Sequence, residues 1–149
     1  MIINARPPNF DQVLAAFPNA DKPGVLFAFD GNVYNPSGIV IPPALIAHEE
    51  VHLYRQRSLS FGFGRQSVEV GRCTPERWWQ EYIDDSEFRY REELLAHAAE
   101  FRHQKNGDRN ASARLLMATA LRLVAPLYAY EPPRTLQQAM RDLREEIGK

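Results

Sequence analysis

His48, Glu49 and His52 form a His-Glu-x-x-His run inside IPPALIAHEEVHLYRQ, residues 41–56. Residues four apart on a helix share a face, so both imidazoles can reach one Zn²⁺. Glu49, rotated by about 100° from His48, can stand beside a metal-activated water and take its proton. The spacing points to metal-assisted hydrolysis if the segment is helical. It also demands more protein, because a catalytic zinc takes three protein ligands and leaves one position open.

The flanking residues predict that helix. Pro42 and Pro43 suit a first turn, where a missing N–H costs nothing. Ala44, Leu45 and Ala47 propagate it, and Arg55 and Arg57 complement its C-terminal dipole. Ala44, Ala47, Val51 and Tyr54 fall on one arc and Ile46 and Leu53 on another, so a helix buried on most sides is expected. Two histidines and a glutamate on such a helix need partners.

The chain has 149 residues, 44% hydrophobic and 25% charged, which matches an ordinary globular domain with one sizeable core, expected to span residues 1–149. A net charge of -1 gives no electrostatic reason to expect nucleic acid or an anionic membrane as partner. Cys73 is the only cysteine and lacks a mate for a disulfide or a paired-cysteine metal site, so it reads as a bystander thiol in a reducing compartment. No apolar run approaches the roughly 20 residues of a membrane span, and MIINARPPNF lacks a secretory apolar core. A cytoplasmic protein is the expectation.

Around the histidine helix, an α+β fold is expected, with a small sheet or hairpin beside several helices. Asp11 is placed to cap a short helix through Val13–Phe17. Val25–Phe29 and Asn32–Tyr34 are β-prone and separated by Asp30-Gly31, the dipeptide of a type I′ hairpin. After the turn NPSG, residues 38–41 read as a third strand entering the helix. Residues 59–72, glycine-rich among aromatics, form a connector or a loop covering substrate. Thr74 and Pro75 start a helix carrying Trp78 and Trp79, read as core anchors, and ending near Asp84-Asp85-Ser86. Ser86 caps the next, Glu87 to about Gln104, stopped by Asn106-Gly107. A further helix covers Ala111–Ala125 until Pro126, and Thr135 with Gln138 makes a capping box for a last, surface helix through about Ile147.

Downstream of His52, a carboxylate and a histidine share a helix only in the Glu87–Gln104 segment, which offers Glu92, Glu93, His97 and Glu100 within a few turns. Arg55 and Ser58 stand where a metzincin needs Gly and His, which excludes that class. Glu93-Leu94-Leu95-Ala96 has the Glu-x-x-Ala form of the gluzincins. VLFAFDGNVYNPSGIVIPPALIAHEEVHLYRQ, WWQEY, DSEFRYREELLAH and APLY together resemble the small gluzincin-like proteins of tailed phages and prophages, the minigluzincins, over roughly residues 25–130. The resemblance implies a compact zincin-like α+β core with the His-Glu-x-x-His helix central, a zinc metallopeptidase acting on peptide or protein substrates, and a phage- or prophage-encoded protein in the host cytoplasm. It further implies His48, His52 and Glu93 as zinc ligands and Glu49 as general base. The segment 58–72 is longer than the resemblance leads one to expect, and His97 stands where an aromatic is common.

Helix geometry agrees with Glu93, because it brings His97 to the metal side one turn on, where that ring can orient a ligand or donate to substrate. Glu92 lies about 100° away, and Glu100 lies roughly 10 Å further along the same face. His97, Tyr128 and Tyr130 are candidate donors to a developing oxyanion. The alternatives are a zinc-binding module that does not hydrolyse, which would not need Glu49, and a metal-free helical interaction domain.

Overall fold

The computed structural model describes residues 1–58, 73–105 and 109–149, without the side chains of 109–111. The fold is α+β, with a three-stranded sheet packed beside a set of helices. Strand β1 (Ile2–Ile3) precedes α1 (Phe10–Ala16), followed by β2 (Phe27–Phe29), β3 (Asn32–Tyr34) and α2 (Pro43–Ser58). Helices α3 (Pro75–Asp84), α4 (Ser86–Gln104), α5 (Arg109–Leu123) and α6 (Leu136–Ile147) follow, with a single 3₁₀ turn at Pro126–Tyr128. Among the described residues no helix is long and apolar enough to cross a membrane.

The hairpin forms at Asp30-Gly31 as its dipeptide requires: both residues have positive φ, 43° and 80°, and Phe27 pairs with Tyr34. The third strand, however, is not residues 38–41. It is the N-terminal pair Ile2–Ile3, which runs parallel to β3. β1 and β2 occupy both edges of β3, and the Asn35 side-chain amide donates to the Ile39 carbonyl at 2.8 Å, so residues 39–41 cannot pair with β3.

Two caps also differ from expectation. Asn9, not Asp11, is the residue before α1, and its side chain makes no cap bond. Asp85, not Ser86, caps α4, accepting from the N–H groups of Glu87 and Phe88, while Ser86 Oγ accepts from the Glu131 N–H at 2.7 Å. The capping box of α6 is present, but Ala139 and Leu143 are fully buried, so the helix covers a core with one face. α5 begins at Arg109 and ends at Leu123, two residues earlier at each end than its apolar pattern predicts. The expected loop at 59–72 and the stop at Asn106-Gly107 lie outside the described residues.

Helix α2 turns its polar side inward. Its buried residues are Ala44, His48, Glu49, His52 and Gln56, whereas Tyr54, expected on a buried arc, is 69% exposed. Gln56 explains part of the inversion: its amide donates to the Ala28 carbonyl at 2.8 Å and accepts from the Asp30 N–H at 3.3 Å, tying α2 to the hairpin. Trp79 donates to the same carbonyl at 3.0 Å. Trp78 and Trp79 are both buried, as core anchors, with each indole N–H satisfied.

α2 and α4 share the most extensive helix contact, and Arg55–Glu92 braces it. Arg55 reaches both oxygens of fully buried Glu92, at 2.6 to 3.1 Å, and Trp78 Nε1 donates to the same carboxylate at 3.1 Å. Glu92→Gln leaves Arg55 without its counter-charge. The expected loss is about 2 kcal/mol, below the ~3–5 of a fully enclosed pair because Arg55 can turn to water. Urea unfolding should show a lower midpoint at unchanged slope, with or without added metal; an unchanged midpoint would remove the brace from the account.

Candidate metal centre

Two imidazole nitrogens and the two oxygens of one carboxylate converge where α2 crosses α4. His48 Nε2 lies 3.3 Å from His52 Nε2 and 3.4 Å from Glu93 Oε2, and His52 Nε2 lies 3.3 Å from Glu93 Oε1. An ion holding four ligands at about 2.0–2.1 Å spaces them about 3.4 Å apart. The three residues are 3 to 5% exposed.

The polar atoms here lack ordinary partners. Two imidazole nitrogens face one another, so without a cation one must carry a proton toward the other. Glu93 Oε2 is buried and accepts no hydrogen bond from a described residue. Glu93 Oε1 accepts from the Tyr82 hydroxyl at 2.6 Å, which fixes the carboxylate's rotation. Buried groups in this state are costly unless a charge completes the set, and a small divalent cation between them would do so.

The electrostatics show the same need. Burial alone would depress the His48 pKa, but hydrogen bonding to Glu100 and Glu93 outweighs it and raises the group to about 10. Burial alone would raise the Glu93 carboxyl, but the adjacent His52 and His48 imidazoles hold it well below its usual range. Without a metal, the cluster therefore stores a proton on His48 against the Glu93 carboxylate.

His97 belongs to the same cluster, and its ligand atom lies within 4.8 Å of those of His48 and Glu93. His52 fits the third place better, because both His97 nitrogens are engaged elsewhere. Burial lowers the His97 pKa, so its ring is neutral with one N–H. Nδ1 lies 3.1 Å from Glu100 Oε2, and a carboxylate only accepts, so the proton sits on Nδ1. Nε2 then accepts from the Tyr128 hydroxyl at 3.1 Å.

Glu100 is closer to the cluster than its place on the helix suggests. Its Oε2 is 3.7 Å from His48 Nδ1, on the far side of that ring from Glu93, and its Oε1 accepts from Arg122 at 2.8 Å. It thus backs His48 and His97 at once, while Glu92 points away toward Arg55 and Trp78.

Glu49 is 5% exposed and lines the same cavity of about 510 Å³ as His48, His52, Glu93, His97 and Tyr128. Burial raises its pKa, opposed by the neighbouring His48 and His52. Tyr130 is absent from the described cavity wall; it stacks on Tyr128 with ring centres 5.5 Å apart, and its buried hydroxyl has no hydrogen-bond partner among the described residues.

Two residues that position the site carry no motif. Tyr82 sits one turn after Trp78, the two rings stacked 4.9 Å apart, and that i, i+4 aromatic pair was its visible signal. Arg89 is buried among carbonyls, donating to Tyr82, Ile83, Tyr128 and Ala129 at 2.6 to 3.1 Å, so it ties the end of α3 to the turn bearing Tyr128. Nothing in the sequence distinguishes Arg89 from the other arginines of α4.

Compared with known proteins, the chain matches no family model, no curated protein and no solved structure.

Proposed function

We propose that the protein is a zinc-dependent peptidase, with His48, His52 and Glu93 as the metal ligands and Glu49 as general base. The observation that carries the proposal is the convergence of two buried imidazole nitrogens and both oxygens of one buried carboxylate, with closest approaches of 3.3 to 3.4 Å, beside an equally buried second carboxylate in an open cavity. A set of two imidazoles and one carboxylate suits a catalytic zinc, and buried Cys73 is not part of the set.

Bound Zn²⁺ would supply Lewis acidity, bringing a water toward neutral pKa and polarising the scissile carbonyl. The remaining work falls to the chain. Glu49, pushed upward by burial, is matched to accept the proton of an attacking water and return it to the leaving amine. Tyr82 holds Glu93 by one oxygen and leaves the other toward His48. Glu100 sets the His97 tautomer, and His97 in turn holds the Tyr128 hydroxyl at the cavity wall. On this reading His97 is a positioning residue acting through Tyr128, and Tyr128 is the nearer candidate to touch substrate.

Three outcomes are expected. Glu93→Ala weakens zinc binding by more than ~100-fold in a competition titration, beyond the 10–100-fold typical of losing an outer partner, whereas Glu92→Ala keeps one zinc per chain. Equal zinc content in both variants would move the site. Glu49→Gln keeps the metal and lowers peptide hydrolysis by ~10²–10⁴-fold; a wild-type rate would leave zinc without a peptidase role. Because the metal-free protein holds a proton on His48 up to about pH 10, zinc displaces it. Apparent affinity should therefore tighten by up to ~tenfold per unit as pH rises from about 6 to 8, with proton release seen calorimetrically. A pH-independent affinity would exclude His48 as ligand.

A further inference from the structure

Arg122 is the one lysine or arginine among the described residues lining the cavity. It projects from the last turn of α5, and its side chain is 46% exposed although it contacts buried Glu100. Arginine carries five N–H donors in a planar fork. Among the described residues Arg122 uses Nη2 alone, at 2.8 Å from Glu100 Oε1 and 3.5 Å from Thr119 Oγ1. The rest of the fork has no partner among them.

Glu100 does not simply cancel this cation. Its carboxylate also accepts from His97 Nδ1 at 3.1 Å and from the Gln104 amide at 3.4 Å, and it lies 3.7 Å from His48 Nδ1. Its negative charge is thus spread over four neighbours. On the described cavity wall, Arg122 is the one place where a substrate carboxylate would meet guanidinium N–H groups with no protein partner among the described residues.

Contacts link the candidate ligands to Arg122: Glu93 meets His48, His48 meets Glu100, and Glu100 bonds Arg122. Arg122 is separated from His48 by one side chain, Glu100, a reach of roughly two or three extended residues at about 3.3–3.6 Å each.

We propose that Arg122 forms a carboxylate-binding subsite, so that the preferred substrates are peptides with a carboxylate two or three residues from the scissile bond, supplied by the chain terminus or by an acidic side chain. The proposal rests on the zinc-peptidase reading. It makes Arg122 a determinant of specificity, because a guanidinium facing a carboxylate forms charge-assisted hydrogen bonds that an amide terminus cannot replace.

The test uses succinyl-hydroxamate peptide mimics of one, two and three residues on the zinc-saturated full chain, each ending either as a free acid or as a carboxamide. A third set ends as a carboxamide with Glu in the last position. In at least one length, the free acid should bind ten-fold or more tightly than its carboxamide, by calorimetry. Arg122→Gln should bring the ratio near one, and Arg122→Lys should keep part of it. The ratio, unlike absolute affinity, is insensitive to any general weakening through Glu100. If the Glu set matches the free acids, the carboxylate is a side chain; if it matches the plain carboxamides, the carboxylate is the terminus. Equal binding of acid and carboxamide at every length, failure of every mimic to bind, or a ratio that survives Arg122→Gln overturns the subsite. Absence of stoichiometric zinc in the wild type would instead overturn the peptidase reading beneath it.

Discussion

Three carboxylates and three imidazoles are enclosed where α2 crosses α4, and the need to balance their charge constrains the surrounding fold. Glu93 points between two histidine nitrogens, Glu100 backs two rings, and Glu49 faces the cavity. A buried carboxylate is tolerated only with a counter-charge and hydrogen bonds. Glu93 and Glu100 are held from several elements: α3 through Tyr82, α5 through Arg122, α2 through its histidines. The helices are placed by apolar packing, but their angular setting is fixed by these few polar bonds.

That constraint explains why α2 inverts its apparent amphipathicity. Two apolar arcs predict a helix buried on most sides, yet its buried residues are Ala44, His48, Glu49, His52 and Gln56, four of them polar. The apolar residues are small or sit at the margins, and Tyr54 is left facing out. A hydrophobic pattern locates the core only when the core is apolar, and here one side of the core is a polar site.

Much of the architecture was legible because local chemistry decides it. Asp30-Gly31 dictates a turn, Pro43 and Pro75 begin helices, and Thr135 with Gln138 caps one. The 3.6 period of α4 separates Glu92 from Glu93, and in the structure one faces Arg55 while the other faces the histidines. What could not be read depends on contacts distant in sequence. β1 pairs with a strand thirty residues away, and two residues of strand carry no pattern of their own. Glu100 was judged by its distance from Glu93 along the helix axis, whereas its side chain reaches back past His97 to His48. Tyr82 acts through one hydrogen bond and Arg89 through four backbone carbonyls, and no spacing rule announces such bonds.

The central claim is that the charge missing from this cluster is a zinc ion held by two imidazoles and one carboxylate. X-ray absorption spectroscopy of the purified full chain, loaded with one equivalent of zinc, tests it most directly. The account predicts a four-coordinate shell of nitrogen and oxygen at about 2.0–2.1 Å with the outer-ring scattering of two histidines. A sulfur ligand at about 2.3 Å, which would bring in Cys73, or three histidines, which would bring His97 into the shell, would contradict it.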